Sequence, residues 1–106
     1  MKDLLRQLGR QIKAIRKARG MTQEALAERI EMSPQYLSRI EGGSQSPSVE
    51  MLTKLADSLE VEVWEIFDFG DPGTAKELRE AVRTVVQRAD EKQLRLALKV
   101  FRAVVR

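Results

Sequence analysis

The chain has no cysteine and no histidine. Disulfides, thiolate nucleophiles, imidazole acid–base chemistry and Cys/His zinc sites are thereby excluded, and most enzyme mechanisms lose their usual groups. Long apolar runs are missing as well. Nothing approaches the roughly 20 consecutive apolar residues of a membrane helix, and the opening MKDLLRQLGRQIKAIRKARG lacks the apolar core of a secretion signal. A cytoplasmic protein without membrane contact is expected. No strand-like alternation of apolar and polar residues occurs, which leaves an all-α reading. Glu24, Glu28 and Glu31 share an exposed helical face, but without His, Cys or a pocket pattern they read as solubilising charge. Neither catalysis nor a cofactor is expected.

What is present suffices for a core: 42% of the 106 residues are hydrophobic, enough for one small domain with an appendage. The net charge of +3 is modest, yet its distribution is not. Residues 1–20 carry seven basic side chains against Asp3 alone, a net +6, whereas residues 50–73 carry Lys54 against seven acids, a net −6. Such two-sidedness suits a protein that turns one side to a polyanion.

The stretch MTQEALAERIEMSPQYLSRIEGG, residues 21–43, holds two short amphipathic patterns a few residues apart. Thr22 can cap the first, which turns Leu26, Ala27 and Ile30 inward. Ser33 can cap the second, Pro34 suits its first position, Leu37 and Ile40 face inward, and Gly42–Gly43 end it. Gln35, Tyr36, Ser38 and Arg39 are left pointing outward. Amide and guanidinium groups read major-groove edges bidentately, Gln to adenine and Arg to guanine, and Gln35 and Arg39 stand one helical turn apart, a rise of roughly 6 Å. This is the pattern of a helix-turn-helix DNA reader.

Around it, Gly9 to Phe67 resembles the Cro/C1-type (XRE) helix-turn-helix family. The resemblance is carried by Ile12, Ile15 and Arg16, by Gly20-Met21-Thr22-Gln23, by Leu26-Ala27, by Ser33 to Gly43, and by Pro47-Ser48 with Leu52, Leu55 and Ala56. It implies a five-helix lambda-repressor-like DNA-binding domain over residues 1–69. It further implies that Gln35, Tyr36, Ser38 and Arg39 face bases, that Gln23 touches a phosphate, and that Arg16 pairs with Glu41. Thr22, Ser33, Gly43, Ser44, Lys13 and Lys17 complete the expected phosphate set, the small Gly42–Pro47 loop through its backbone N–H groups. Glu31 occupies a turn position where the family commonly has a left-handed glycine, so either Glu31 accepts that strain or the turn differs slightly.

The first helix is expected from Asp3 to Ala18 with Leu4, Leu8, Ile12 and Ile15 inward. A fourth spans Ser48–Leu59 with Met51, Leu52, Leu55 and Leu59 inward, and a fifth covers Val63–Phe67, where Trp64, Ile66 and Phe67 would close the core. Gly70-Asp71-Pro72-Gly73 marks a boundary. Beyond it, residues 74–106 read as a helical hairpin: Thr74 and Glu77 open one helix lined by Ala75, Leu78, Ala81, Val82, Val85 and Val86, and Asp90 with Gln93 opens another from Gln93 to Arg106. The last helix is apolar over more than one stripe, through Leu94, Leu96, Ala97, Leu98, Val100, Phe101, Ala103, Val104 and Val105. Two helices of this size bury too little surface to stand alone. Leu94, Ala97, Leu98, Phe101, Val104 and Val105 are therefore expected to form a homodimer interface, with packing inside the monomer as an alternative. The hairpin's net +5 could instead serve flanking DNA, an acidic partner or, against the expectation above, a membrane surface, but its long apolar face argues for protein contact first.

Together these features predict a transcriptional regulator, a repressor that binds double-stranded DNA at a palindromic operator as a dimer. An antitoxin-type autorepressor, or an adaptor whose tail grips an antagonist or toxin protein, is the alternative.

Overall fold

The computed structural model describes residues 2–70 and 73–105, apart from the side chains of Lys2 and Val104. Asp71 and Pro72 of the expected boundary, the Val104 side chain of the expected interface and Arg106 at the expected helix end lie outside the described residues. The described residues form seven helices and no strand: α1 (Lys2–Ala18), α2 (Gln23–Arg29), α3 (Pro34–Gly42), α4 (Val49–Leu59), α5 (Val63–Ile66), α6 (Ala75–Arg88) and α7 (Glu91–Val104). None is long and apolar enough to cross a membrane. Two compact units result, residues 1–70 and 71–106.

In the first unit, α3 packs on both α1 and α2, and α4 and α5 close the remaining side. The helices α2 and α3 start at the expected caps, and Ser48, expected as the first residue of the fourth helix, caps α4 instead: Thr22, Ser33 and Ser48 accept the amides of Ala25, Tyr36 and Met51. One core results, from Leu8 and Ile12 of α1, Leu26, Ala27 and Ile30, Leu37 and Ile40, then Met51, Leu52, Leu55, Ala56 and Leu59 of α4, and Ile66 of α5.

Two expectations about the core need correcting. Leu4 is 42% exposed, and Leu5 is the half-buried residue. The inward stripe of α1 runs through Leu5, Leu8, Gly9, Ile12 and Arg16, a face whose centre a count of apolar side chains misplaces because it includes a glycine and an arginine. Gly9 matters there because a Cβ on it would lie 2.4 Å from the carbonyl oxygen of Ile40 and 2.5 Å from that of Glu41. Backbone meets backbone at this point. The aromatic lid is the second correction: Ile66 is fully buried, but Trp64 and Phe67 are 49% and 39% exposed, and Phe69 packs against the core instead. With only four residues, α5 turns a single side chain fully inward.

Glu31 has φ 59°, the strained left-handed conformation of the two alternatives, and Glu60 at the end of α4 adopts the same region at φ 58°. A Cβ there costs about 1 kcal/mol relative to glycine. Glu31→Gly is expected to stabilise the first unit by roughly 0.5–1 kcal/mol, read as a rise in the urea midpoint at unchanged slope; a fall would mean that the Glu31 side chain supports the turn.

The second unit is also well capped. Thr74 accepts the amide of Glu77, and Asp90 with Gln93 forms a reciprocal box, so that α7 begins at Glu91, two residues before the expected start. Its sides are bare. Every described residue from 73 to 105 is exposed except half-buried Ala89. Leu78, Val82, Val86 and Phe101 line an open groove of about 420 Å³ rimmed by Arg79 and Arg83.

Candidate nucleic-acid interface

Two capped helix starts frame the candidate site. The Thr22 and Ser33 hydroxyls are exposed and each accepts one backbone amide, which leaves each hydroxyl hydrogen free to be donated outward. Between them, Ile30 closes α2 and the left-handed Glu31 turns the chain towards α3.

On α3, Gln35, Ser38 and Arg39 are exposed, while Leu37, Ile40 and Glu41 are buried. Tyr36 differs from its outward neighbours. Its ring is half-buried against the core, and the Arg39 guanidinium carbon lies 5.9 Å from the ring centroid. Tyr36 is thus a platform that limits where Arg39 can point, a cation–π contact between residues three apart on one helix. The sequence placed both outward without showing that they touch.

Beneath this surface lies a buried ion pair. Arg16 donates from Nε and Nη2 to Oε2 and Oε1 of Glu41, at 2.7 and 3.0 Å. Nη1 of Arg16 donates to the carbonyl oxygen of Met21 at 2.8 Å, and Nε2 of Gln23 donates to Oε1 of Glu41 at 2.9 Å. One guanidinium and one carboxylate therefore tie the end of α1, the entry to α2 and the last turn of α3 together. No buried side-chain polar atom among the described residues lacks a partner.

Comparison with known proteins gives this geometry its family. A Helix-turn-helix family model, HTH_3, matches residues 12–63, from the middle of α1 to the start of α5. The uncharacterized HTH-type transcriptional regulator YazB of Bacillus subtilis is 38% identical over 58 residues, 55% of this chain and 84% of its own length. The chain belongs to the Cro/C1-type (XRE) helix-turn-helix family. The immunity repressor protein of Bacillus phage phi105 is 43% identical over 56 residues, 53% of this chain. The chain spans about two fifths of the length of this repressor and of the other first curated relative that it matches. Among solved structures, one described as a SinR protein/SinI protein complex has 31% identity and a TM-score of 0.56, covering 90% of this chain and 94% of that one.

All the residues expected at bases or phosphates fall within the segment matched to the helix-turn-helix family. Lys13 and Lys17 are exposed one turn apart on α1. The loop after α3 differs from expectation in one respect: the amides of Gly43, Ser44 and Gln45 donate to the carbonyls of Ile40 and Arg39. They close α3, with Gly43 left-handed at φ 81°, and the Ser44 hydroxyl also donates to the carbonyl of Arg39 at 3.4 Å, so the donors expected of Gly43 and Ser44 are turned back onto α3. Two more contacts had no sequence signal. Gln11 donates to the carbonyl of Glu65 at 3.0 Å, and Arg19 donates to that of Glu60 at 3.2 Å.

Proposed function

We propose that this protein is a sequence-specific transcriptional repressor that binds a palindromic operator as a homodimer. In this reading residues 1–69 are the DNA-binding domain, with α3 in the major groove, and residues 74–106 couple two copies. The observation that carries it is the pairing of an exposed Gln35–Ser38–Arg39 face with a helix held at both ends, by the Ser33 cap and by the Arg16–Glu41 pair. A reading helix must be positioned before its side chains can discriminate. Repression draws support from the similarity to an immunity repressor. A partner protein on the hairpin is the second reading, favoured by the likeness of 90% of the chain to a protein solved in complex with another.

The reading is tested by selecting bound duplexes from a random pool and titrating the selected DNA by fluorescence anisotropy at several salt concentrations. Strong salt dependence and a two-fold symmetric consensus are expected. Gln35→Ala and Arg39→Ala are each expected to lose about 1–3 kcal/mol of specific affinity and to relax preference at one or two base pairs, with unchanged melting midpoints. A folded chain that enriches no sequence would reject the DNA-reading role in favour of the adaptor.

A further inference from the structure

The Arg16–Glu41 pair has a third member, and its chemistry goes beyond holding helices together. Glu41 uses both oxygens on Arg16, and Oε1 also accepts from Nε2 of Gln23. Gln23 is the first residue of α2 and is half-buried, and its amide nitrogen carries two hydrogens of which Glu41 takes one. We infer that Glu41 is a positioning residue for DNA contact: it holds the Gln23 amide in one rotamer with the second N–H free for a phosphate oxygen. The inference rests on the DNA-binding reading above.

Two physical consequences support it. A free glutamine side chain has three rotatable bonds whose freedom would be lost on binding, and the bond to Glu41 has removed that freedom beforehand. Moreover, Glu41 lies in the last turn of α3, two residues after Arg39. A phosphate held by Gln23 is thereby fixed in the same frame as the base-facing side chains, so backbone contact and base contact are set together. Replacing the carboxylate by an amide breaks this arrangement whichever way the amide turns. With its single oxygen on Gln23, its NH2 group confronts the Arg16 donors. With that oxygen on Arg16, its NH2 group can pair with Gln23 only if the Gln23 amide turns over to present Oε1, which moves the Nε2 hydrogens from the place they now hold.

The test uses the full chain and a duplex selected as above. With 15N-labelled protein, one of the two side-chain amide proton resonances of Gln23 should be shifted downfield and exchange slowly before DNA is added. On adding DNA that resonance should stay, and its geminal partner should move. In phosphate ethylation interference, Gln23→Ala and Glu41→Gln should erase the same single phosphate in each half-site. Each should weaken binding roughly tenfold and reduce the salt slope by about one, and the double variant should be no weaker than either single one. Three results would overturn the proposal: the bonded amide proton leaving Glu41 on DNA addition, additive losses in the double variant, or a Glu41→Gln loss spread evenly over all phosphates and bases, as a purely structural role requires. If Glu41→Gln does not fold, the resonance experiment decides by itself. Failure of the unaltered chain to bind any duplex would remove the DNA reading and this role with it, whereas normal binding with unrelated Gln23 and Glu41 footprints rejects the positioning role only.

Discussion

Glu41→Ala is expected to lower the free energy of unfolding by about 3–5 kcal/mol, because it leaves the Arg16 guanidinium buried with two of its donors facing nothing. Arg16 and Glu41 are 6% and 7% exposed, so water cannot replace the lost partner. For a small domain with a total stability of about 5–15 kcal/mol the loss is a large fraction of the whole. Arg16→Ala should behave similarly, whereas Arg10→Ala, which removes an exposed charge from the same helix, should stay within about 0.5 kcal/mol. Replacing both members by apolar residues of similar size, Arg16→Met with Glu41→Leu, should be less damaging than either truncation, since no charge then remains to be desolvated. Urea titrations of the four variants check this. Equal, negligible midpoint shifts for Arg16→Ala and Arg10→Ala would mean that the pair contributes nothing to folding.

Truncation after Gly73 is expected to leave a folded monomer whose affinity for a palindromic duplex falls by about 10²–10⁴-fold. That range is what linking two binding modules contributes through effective concentration alone. All residues of the hydrophobic core lie between Leu8 and Ile66, so the core survives the cut. The hairpin, in contrast, leaves Phe101 54% exposed together with Leu78, Val82, Val86, Leu94 and Leu98, an apolar display that a solvated element does not keep without a partner. Phe101→Asp should reproduce the deletion by putting a charge where two apolar faces would meet. Sedimentation of the full chain, the truncation and the point variant at tens of micromolar gives the answer. A monomeric full chain, or a truncated form that still dimerises, would transfer the hairpin to a different partner protein.

Much of the first unit could be read from residue types because its determinants are local. Thr22, Ser33 and Ser48 cap helices through bonds that reach only three residues along the chain. The left-handed backbone at Glu31 is suggested only by likeness to the family, which commonly has glycine at that place in the turn. The Arg16–Glu41 pair spans 25 residues and came only from likeness to a family; nothing in the spacing of those two charges announces it. What escaped notice depends on three-dimensional register. Leu4 and Leu5 are equivalent to a pattern search until the packing of α1 chooses between them. Phe67 and Phe69 exchange roles because α5 ends after one turn, and the Gln23–Glu41 bond needs α2 and α3 already in place. Gly9 left a trace that could have been followed, since a glycine within a long helix is unfavourable unless something requires it.

That glycine also bears on how this protein can acquire new preferences. Because α1 and α3 meet through bare main chain at Gly9, how closely the two helices approach there is set by atoms that every residue shares, alongside the Arg16–Glu41 pair and the core side chains that also hold α3. The outward positions Gln35, Ser38 and Arg39 take no part in that approach. They can be exchanged like type in a fixed press, changing the text that is read while the plate stays still. If α3 reads DNA as proposed, drift to a new operator is open through a few exposed codons, and a change at Gly9 would disturb every word at once.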